Sequence, residues 1–247
     1  ARLNAVDGVT VENVSSLRTI FMFMNFTHEP INDVRVRQAI NYAIDNEALA
    51  EFVLGGAVRP SDAPIAPGIF GYTPVGDYDY NPERARELLA EAGYADGFST
   101  SLYTPSGRYL QDIQTVEAMQ AMLAEVGITT SIETLEWSAY LEKVNAVPGE
   151  SDVSIGLLGW GTVTGDADYG LYPLFHTAQQ RPVGSNRGAY SNARVDELLD
   201  FARTNTNPDE RLAAYEEAMT IIWEDAAWLF LHSETQLVAV RDNVNGL

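Results

Sequence analysis

No cysteine occurs among the 247 residues, which excludes disulfides, thiolate metal sites and a cysteine nucleophile at once. Positive charge is also scarce: 15 basic residues stand against 35 acidic ones for a net charge of -20, and Lys143 is the single lysine. A chain so acidic repels phosphate backbones and anionic membrane surfaces, so no nucleic-acid partner is expected. It also lacks a run of ~18 apolar residues, the length needed to cross a bilayer as a helix. Ala1-Arg2-Leu3-Asn4 carries neither the charged nor the apolar part of a secretion signal, and no methionine opens the chain. The expectation is a piece of a longer polypeptide from which any targeting segment has been separated.

What is present is a 46% hydrophobic chain, enough for a sizeable core. Residues 19–26 hold the run Ile20-Phe21-Met22-Phe23-Met24, which suits a strand buried on both faces. Asp33 is placed to cap a helix whose apolar positions are Val36, Ala39, Ile40, Ala43 and Ile44, and a second helix is expected over 46–54. Residues 57–80 show neither period and read as a long irregular segment. Asn81-Pro82-Glu83 then opens a helix ended by Gly93, and Asn207-Pro208-Asp209-Glu210 repeats the same cap logic. Strands are expected over 98–103, 128–135, 153–158, 227–231 and 236–240, with further helices over 111–126 and 137–147 and one capped by Asn192. Strands alternating with helices imply an α/β fold with a sheet covered by helices on both faces.

Chemical motifs are mostly missing. Gly159-x-Gly161-x-x-x-Gly165 is one residue too long for a dinucleotide fingerprint and has no acidic partner at the ribose-reading distance. The phosphate-binding loop, the nucleophile elbow and the H-E-x-x-H zinc motif do not occur. His28, His176 and His232 are scattered and read as hydrogen-bonded surface or core residues. Asp77-x-Asp79-x-Asn81 and Asp166-x-Asp168 fail as calcium loops because Pro82 stands where the turn needs glycine, and Leu88 and Thr177 where it needs the bidentate glutamate. No metal, cofactor or catalytic residue is therefore expected. Trp137, Trp223 and Trp228 read as packing residues, whereas Trp160 and Tyr190 sit at loop junctions where a flat ring with a polar tip lines a ligand pocket.

The order of the pieces resembles the extracytoplasmic solute-binding proteins that feed peptide, glutathione and nickel ABC importers. The residues that carry it are Asp33-Val34-Arg35-Val36-Arg37-Gln38-Ala39-Ile40-Asn41-Tyr42-Ala43-Ile44-Asp45, Tyr80-Asn81-Pro82-Glu83 through Ala92-Gly93-Tyr94, and Gly159-Trp160 followed by Gly165-Asp166-Ala167-Asp168. Tyr190-Ser191-Asn192 and Val240-Arg241-Asp242-Asn243-Val244-Asn245-Gly246 continue it. The resemblance implies a periplasmic-binding-protein-like (type II) lobe built on a mixed sheet and spanning residues 1–247, the second ligand-binding lobe with its two hinge connections, with the first lobe of the same polypeptide absent. It further implies no enzymatic activity, a periplasmic or otherwise extracytoplasmic place, an anchor if any through an absent segment, and ABC permease subunits as membrane partners.

On that resemblance the solute is peptide-like, an oligopeptide, dipeptide or glutathione. An oligosaccharide, chelated nickel, a hydrolase or a sensor module remain as alternatives. The expected ligand-binding residues are Trp160, Gly161, Thr162, Val163, Asp166 and Asp168 on one loop, Tyr103, Arg108 and Tyr109 on a second, and Asn186, Arg187 and Tyr190 on a third. In the oligopeptide- and dipeptide-binding members an aspartate three positions after the tryptophan pairs with the ligand's ammonium. Here that position is Val163, which cannot balance a buried ammonium. Asp166 or Asp168 is the candidate for the missing charge, and the run Thr164 to Tyr169 is closer to the glutathione-binding members.

Overall fold

Alternation along one strand sets the layers of the molecule. In β1 (Val9–Met24) the side chains of Ile20, Met22 and Met24 enter one core while Phe21 and Phe23 enter another, because successive strand residues point to opposite faces. The computed structural model, which describes residues 6–244, places β1 inside a six-stranded sheet of order β2-β6-β1-β5-β3-β4. Its other strands are β2 (Val58–Pro60), β3 (Phe98–Pro105), β4 (Ile128–Leu135), β5 (Ile155–Gly161) and β6 (Trp228–Arg241). β1 runs antiparallel to both β5 and β6, β6 antiparallel to β2, and β3 parallel to both β4 and β5. The sheet is mixed, as expected for the fold the resemblance implies.

Helices α1 (Val34–Tyr42), α3 (Pro82–Glu91) and α4 (Asp112–Glu125) cover the methionine face, burying Val36, Ile40, Leu88, Leu89, Val116 and Met119. Helices α5 (Trp137–Val144), α6 (Ala167–Phe175), α7 (Ala193–Thr204) and α8 (Pro208–Glu224) cover the aromatic face, where Phe21 stacks on Trp228 with ring centroids 3.4 Å apart. The anticipated caps are in place: Asn81 accepts from the Arg84 amide at 2.9 Å, Asn207 from Asp209 at 3.0 Å, and Asp33 from Arg35 at 2.8 Å. Each supplies an acceptor to an amide that the helix itself leaves unpaired.

Besides β2, a short strand in the segment expected to be irregular, three elements differ from expectation. The second helix is a single turn, α2 (Asn46–Ala48), running into a wide π turn over Leu49–Val53. The two closing strands are one, because polar His232, Ser233 and Glu234 between them still pair with β1 or β2. β5 extends through Gly159, Trp160 and Gly161, which were expected as loop, since Ile20, Thr19 and Arg18 of β1 continue to pair with them. Beyond this body, residues 9–15 pair with 235–241 as a two-stranded arm that touches no other strand.

Candidate functional site

The end of β5 is unusual in having a strand on one side only. β3 pairs with it at Leu102–Ile155 and Tyr103–Gly156 and then diverges, so the stretch from Leu157 to Gly161 keeps an open edge. An unpaired edge leaves backbone donors and acceptors that need partners. Two are met by phenols: the Gly159 amide donates to Tyr109 Oη at 2.8 Å, and Tyr140 Oη donates to the Leu157 carbonyl at 2.7 Å. Burial pushes the Tyr109 phenol above its ordinary range. Gly159 has to lack a side chain here, because a Cβ would stand 2.6 Å from Ile20 Cδ1 and 2.9 Å from the Tyr109 ring.

The loop that carries Tyr109 is held by a residue that sequence reasoning overlooked. Asp112, 4% exposed at the start of α4, accepts from the backbone amides of Gly107 (3.2 Å), Arg108 (2.7 Å), Tyr109 (3.1 Å) and Ile113 (3.0 Å). This gathers the loop around one carboxylate and aims Arg108 across the rings of Tyr109 and Trp137, at 5.3 and 5.0 Å from their centroids. The only sequence signal was an aspartate a few residues past the turn Pro105-Ser106-Gly107, too common a pattern to single out.

On the other side of Gly161 the register of β1 against β6 shifts between Ser15 and Thr19, and a 490 Å³ cavity opens there. Arg18, Gly161, Val163 and Glu234 line it, together with Ser16 and Gln236. Val163 is 76% exposed. Arg18 and Glu234 were not anticipated, because they lie 216 positions apart and only the strand pairing joins them.

Of the residues singled out from sequence, Trp160, Gly161, Val163, Arg108 and Tyr109 thus gather around the end of β5. Trp160 is fixed by its Nε1 donating to the Tyr169 carbonyl at 2.9 Å. Thr162 is buried, its amide donating to Leu17 at 2.9 Å, and Tyr103 is a buried member of the aromatic core. Asp166 caps α6 and takes Arg211 Nη2 on both oxygens at 2.8 and 2.9 Å. Asp168 is 3.5 Å from Arg203 Nε, and burial raises its carboxyl pKa. Neither aspartate lines the cavity beside Val163. Both have cationic partners at α7 or α8.

The third expected loop also has internal tasks. Asn186, 1% exposed, donates to the Tyr190 carbonyl at 2.8 Å and accepts from the Tyr190 amide at 3.1 Å. Tyr190 packs in the core against Phe26 and Phe175 and donates to Asp225 at 2.7 Å; a ring 3% exposed is a packing ring, not the pocket wall expected of it. Arg187 is half-buried, donating to Asn145 Oδ1 at 3.0 Å and Ser185 O at 3.2 Å, with its pKa pushed down to about 10 by burial and by Arg181. Among the described residues, no group of three or more His, Asp or Glu side chains is placed to hold a metal ion.

Comparison with known proteins identifies the family and the fold. The family model for bacterial extracellular solute-binding proteins, family 5, middle region, matches residues 1–182. The glutathione-binding protein GsiB of Salmonella paratyphi A is 34% identical over 232 residues, covering 94% of this chain and 45% of that protein. The chain therefore spans about half the length of the curated relatives it matches. Among solved structures, HbpA2 of Haemophilus parasuis superposes with a TM-score of 0.90 at 26% identity, covering 97% of this chain and 47% of that one. The periplasmic binding protein DppA of Helicobacter pylori, associated with an ABC transporter and solved with the peptide STSA, gives 0.86 at 29% identity over 99% of this chain and 47% of that one. The chain belongs to the bacterial extracellular solute-binding proteins of family 5.

Proposed function

We propose that the chain is the second ligand-binding lobe of an extracytoplasmic receptor that captures a peptide-like solute and delivers it to an ABC permease. The open edge of β5 carries this reading. Past Leu157, whose carbonyl buried Tyr140 covers, the side of β5 at Gly159–Gly161 that has no strand partner, with rings from Tyr109, Trp137 and Trp160 around it and Arg108 over two of them, can receive an extended peptide backbone. The solutes named for the Salmonella and Helicobacter relatives, glutathione and the peptide STSA, both have amide backbones. Capture occurs without chemical change to the solute, on the outer side of the cytoplasmic membrane.

The two-stranded arm of residues 9–15 and 235–241 is assigned as the hinge connection to a first lobe. Closure of two lobes over a bound solute turns contacts on both faces into a closed state that a transporter can recognise. The lobe alone then presents half a cleft. Calorimetric titration with glutathione and short peptides is the test: a polypeptide carrying both lobes is expected to bind, and this chain alone is expected to show no micromolar affinity. Micromolar binding by the lone lobe, or no binding of any peptide-like solute by the two-lobed form, would refute the assignment.

A further inference from the structure

The cavity beside Gly161 has a charge pattern of its own. In a chain with 35 acidic and 15 basic residues, its charged lining is one of each, Arg18 and Glu234. They are 3.8 Å apart with side chains 34% and 28% exposed, well beyond the roughly 2.7–2.9 Å of a tight charge-assisted hydrogen bond. So loose and half-solvated a pair contributes little to stability and is readily exchanged for other partners. Arg18 Nε faces Glu234, while Nε and Nη2 lie 3.8 and 3.9 Å from where a Cβ on Gly161 would stand. The guanidinium therefore lies between the carboxylate and Gly161 at the end of β5. Val163 forms an apolar wall, and neither Asp166, held by Arg211, nor Asp168 lines the cavity.

We propose that this cavity receives the zwitterionic α-amino-acid end of the solute, its ammonium against Glu234 and its carboxylate against Arg18. The inference rests on the reading of the chain as a solute-receptor lobe and narrows the solute to one with a free amino-acid head. A lone anion would meet Glu234 and a lone cation would meet Arg18, each a like-charge contact. A group with both charges a few ångströms apart replaces one loose pair by two close ones. Glu234, on β6, thereby takes the task that the loop after Trp160 leaves unfilled at Val163.

The test is an NMR titration of this chain, following Arg18 Nε–Hε and the Glu234 carboxyl while adding L-alanine, methylammonium chloride or sodium acetate at matched ionic strength. Saturable shifts with L-alanine are expected, absent for the two singly charged ions and lost in Glu234→Gln. No response, an equal response to all three, or a response that survives Glu234→Gln would overturn the inference. In a two-lobed receptor, Glu234→Gln is expected to weaken glutathione binding at least about tenfold, and Val163→Asp in that background to restore part of it. Wild-type binding that Glu234→Gln leaves untouched would sink this inference while the solute-receptor reading stands. If the wild type bound no peptide-like solute, that reading would fall instead, and the salt titration would decide the cavity by itself.

Discussion

Asp112→Ala should unlock the loop that builds one wall of the cleft. The carboxylate is 4% exposed and accepts four backbone amides at 2.7 to 3.2 Å, three of them in the loop that carries Arg108 and Tyr109. A hydrogen bond to a charged group contributes about 1.5–3 kcal/mol, but four that share one carboxylate do not add fully, so the loss expected is about 3–5 kcal/mol. For a domain of this size that corresponds to a fall in Tm of roughly 6–20 °C. Asp112→Asn should be intermediate, because one oxygen still accepts while the amide nitrogen faces two N–H donors. Urea unfolding followed by circular dichroism measures the loss, and hydrogen exchange at residues 107–109 locates it. A loss below about 0.5 kcal/mol, the scale of an ordinary surface change, would refute the claim that this carboxylate organises the loop.

Two further perturbations probe the scaffold. Burial lowers the His232 pKa to about 4 from the ordinary 6.5, so the unfolded chain takes up a proton that the folded one refuses. Stability is then unaffected above pH ~6.5, falls by about 3 kcal/mol as the pH drops towards 4, and levels off below it; His232→Gln should flatten the wild-type curve across that window. Gly97 has φ +78° and a Cβ there would come 1.9 Å from the Gly127 carbonyl oxygen. Gly97→Ala should therefore cost about 3 kcal/mol or more, visible as a lowered urea midpoint; a neutral result would mean that the close approach of the turns before β3 and β4 is dispensable.

Local signals in this chain were easy to read because their physics is local. Asn81, Asn192 and Asn207 cap where their side chains can reach an amide two or three residues on, and β4 begins and ends where its pattern says. The extent of β5 was less visible: Gly159-Trp160-Gly161 has loop composition, and only pairing with β1 makes it strand. The cleft residues divide in the same way. Arg108, Tyr109, Trp160 and Val163 stand next to strand ends and could be found from there, whereas Tyr190, in a loop before a helix, is drawn into the core by Phe26, Phe175 and Asp225. Arg18 and Glu234 had no sequence signal, since a register shift between distant strands creates their cavity. Asp166 and Asp168 looked free because Arg211 and Arg203, which engage them, are more than thirty positions away.

The most direct measurement of the central claim is hydrogen–deuterium exchange of a two-lobed receptor with and without glutathione. Protection on binding should rise at residues 159–161 and 107–110, beyond what Tyr109 and Asp112 already give those amides in the free receptor, where the end of β5 and the Asp112-held loop would meet the solute backbone. Binding that left those amides exchanging as before, with protection instead on the outer face of α7 and α8, would contradict the assignment of the β5 edge as the solute-binding wall.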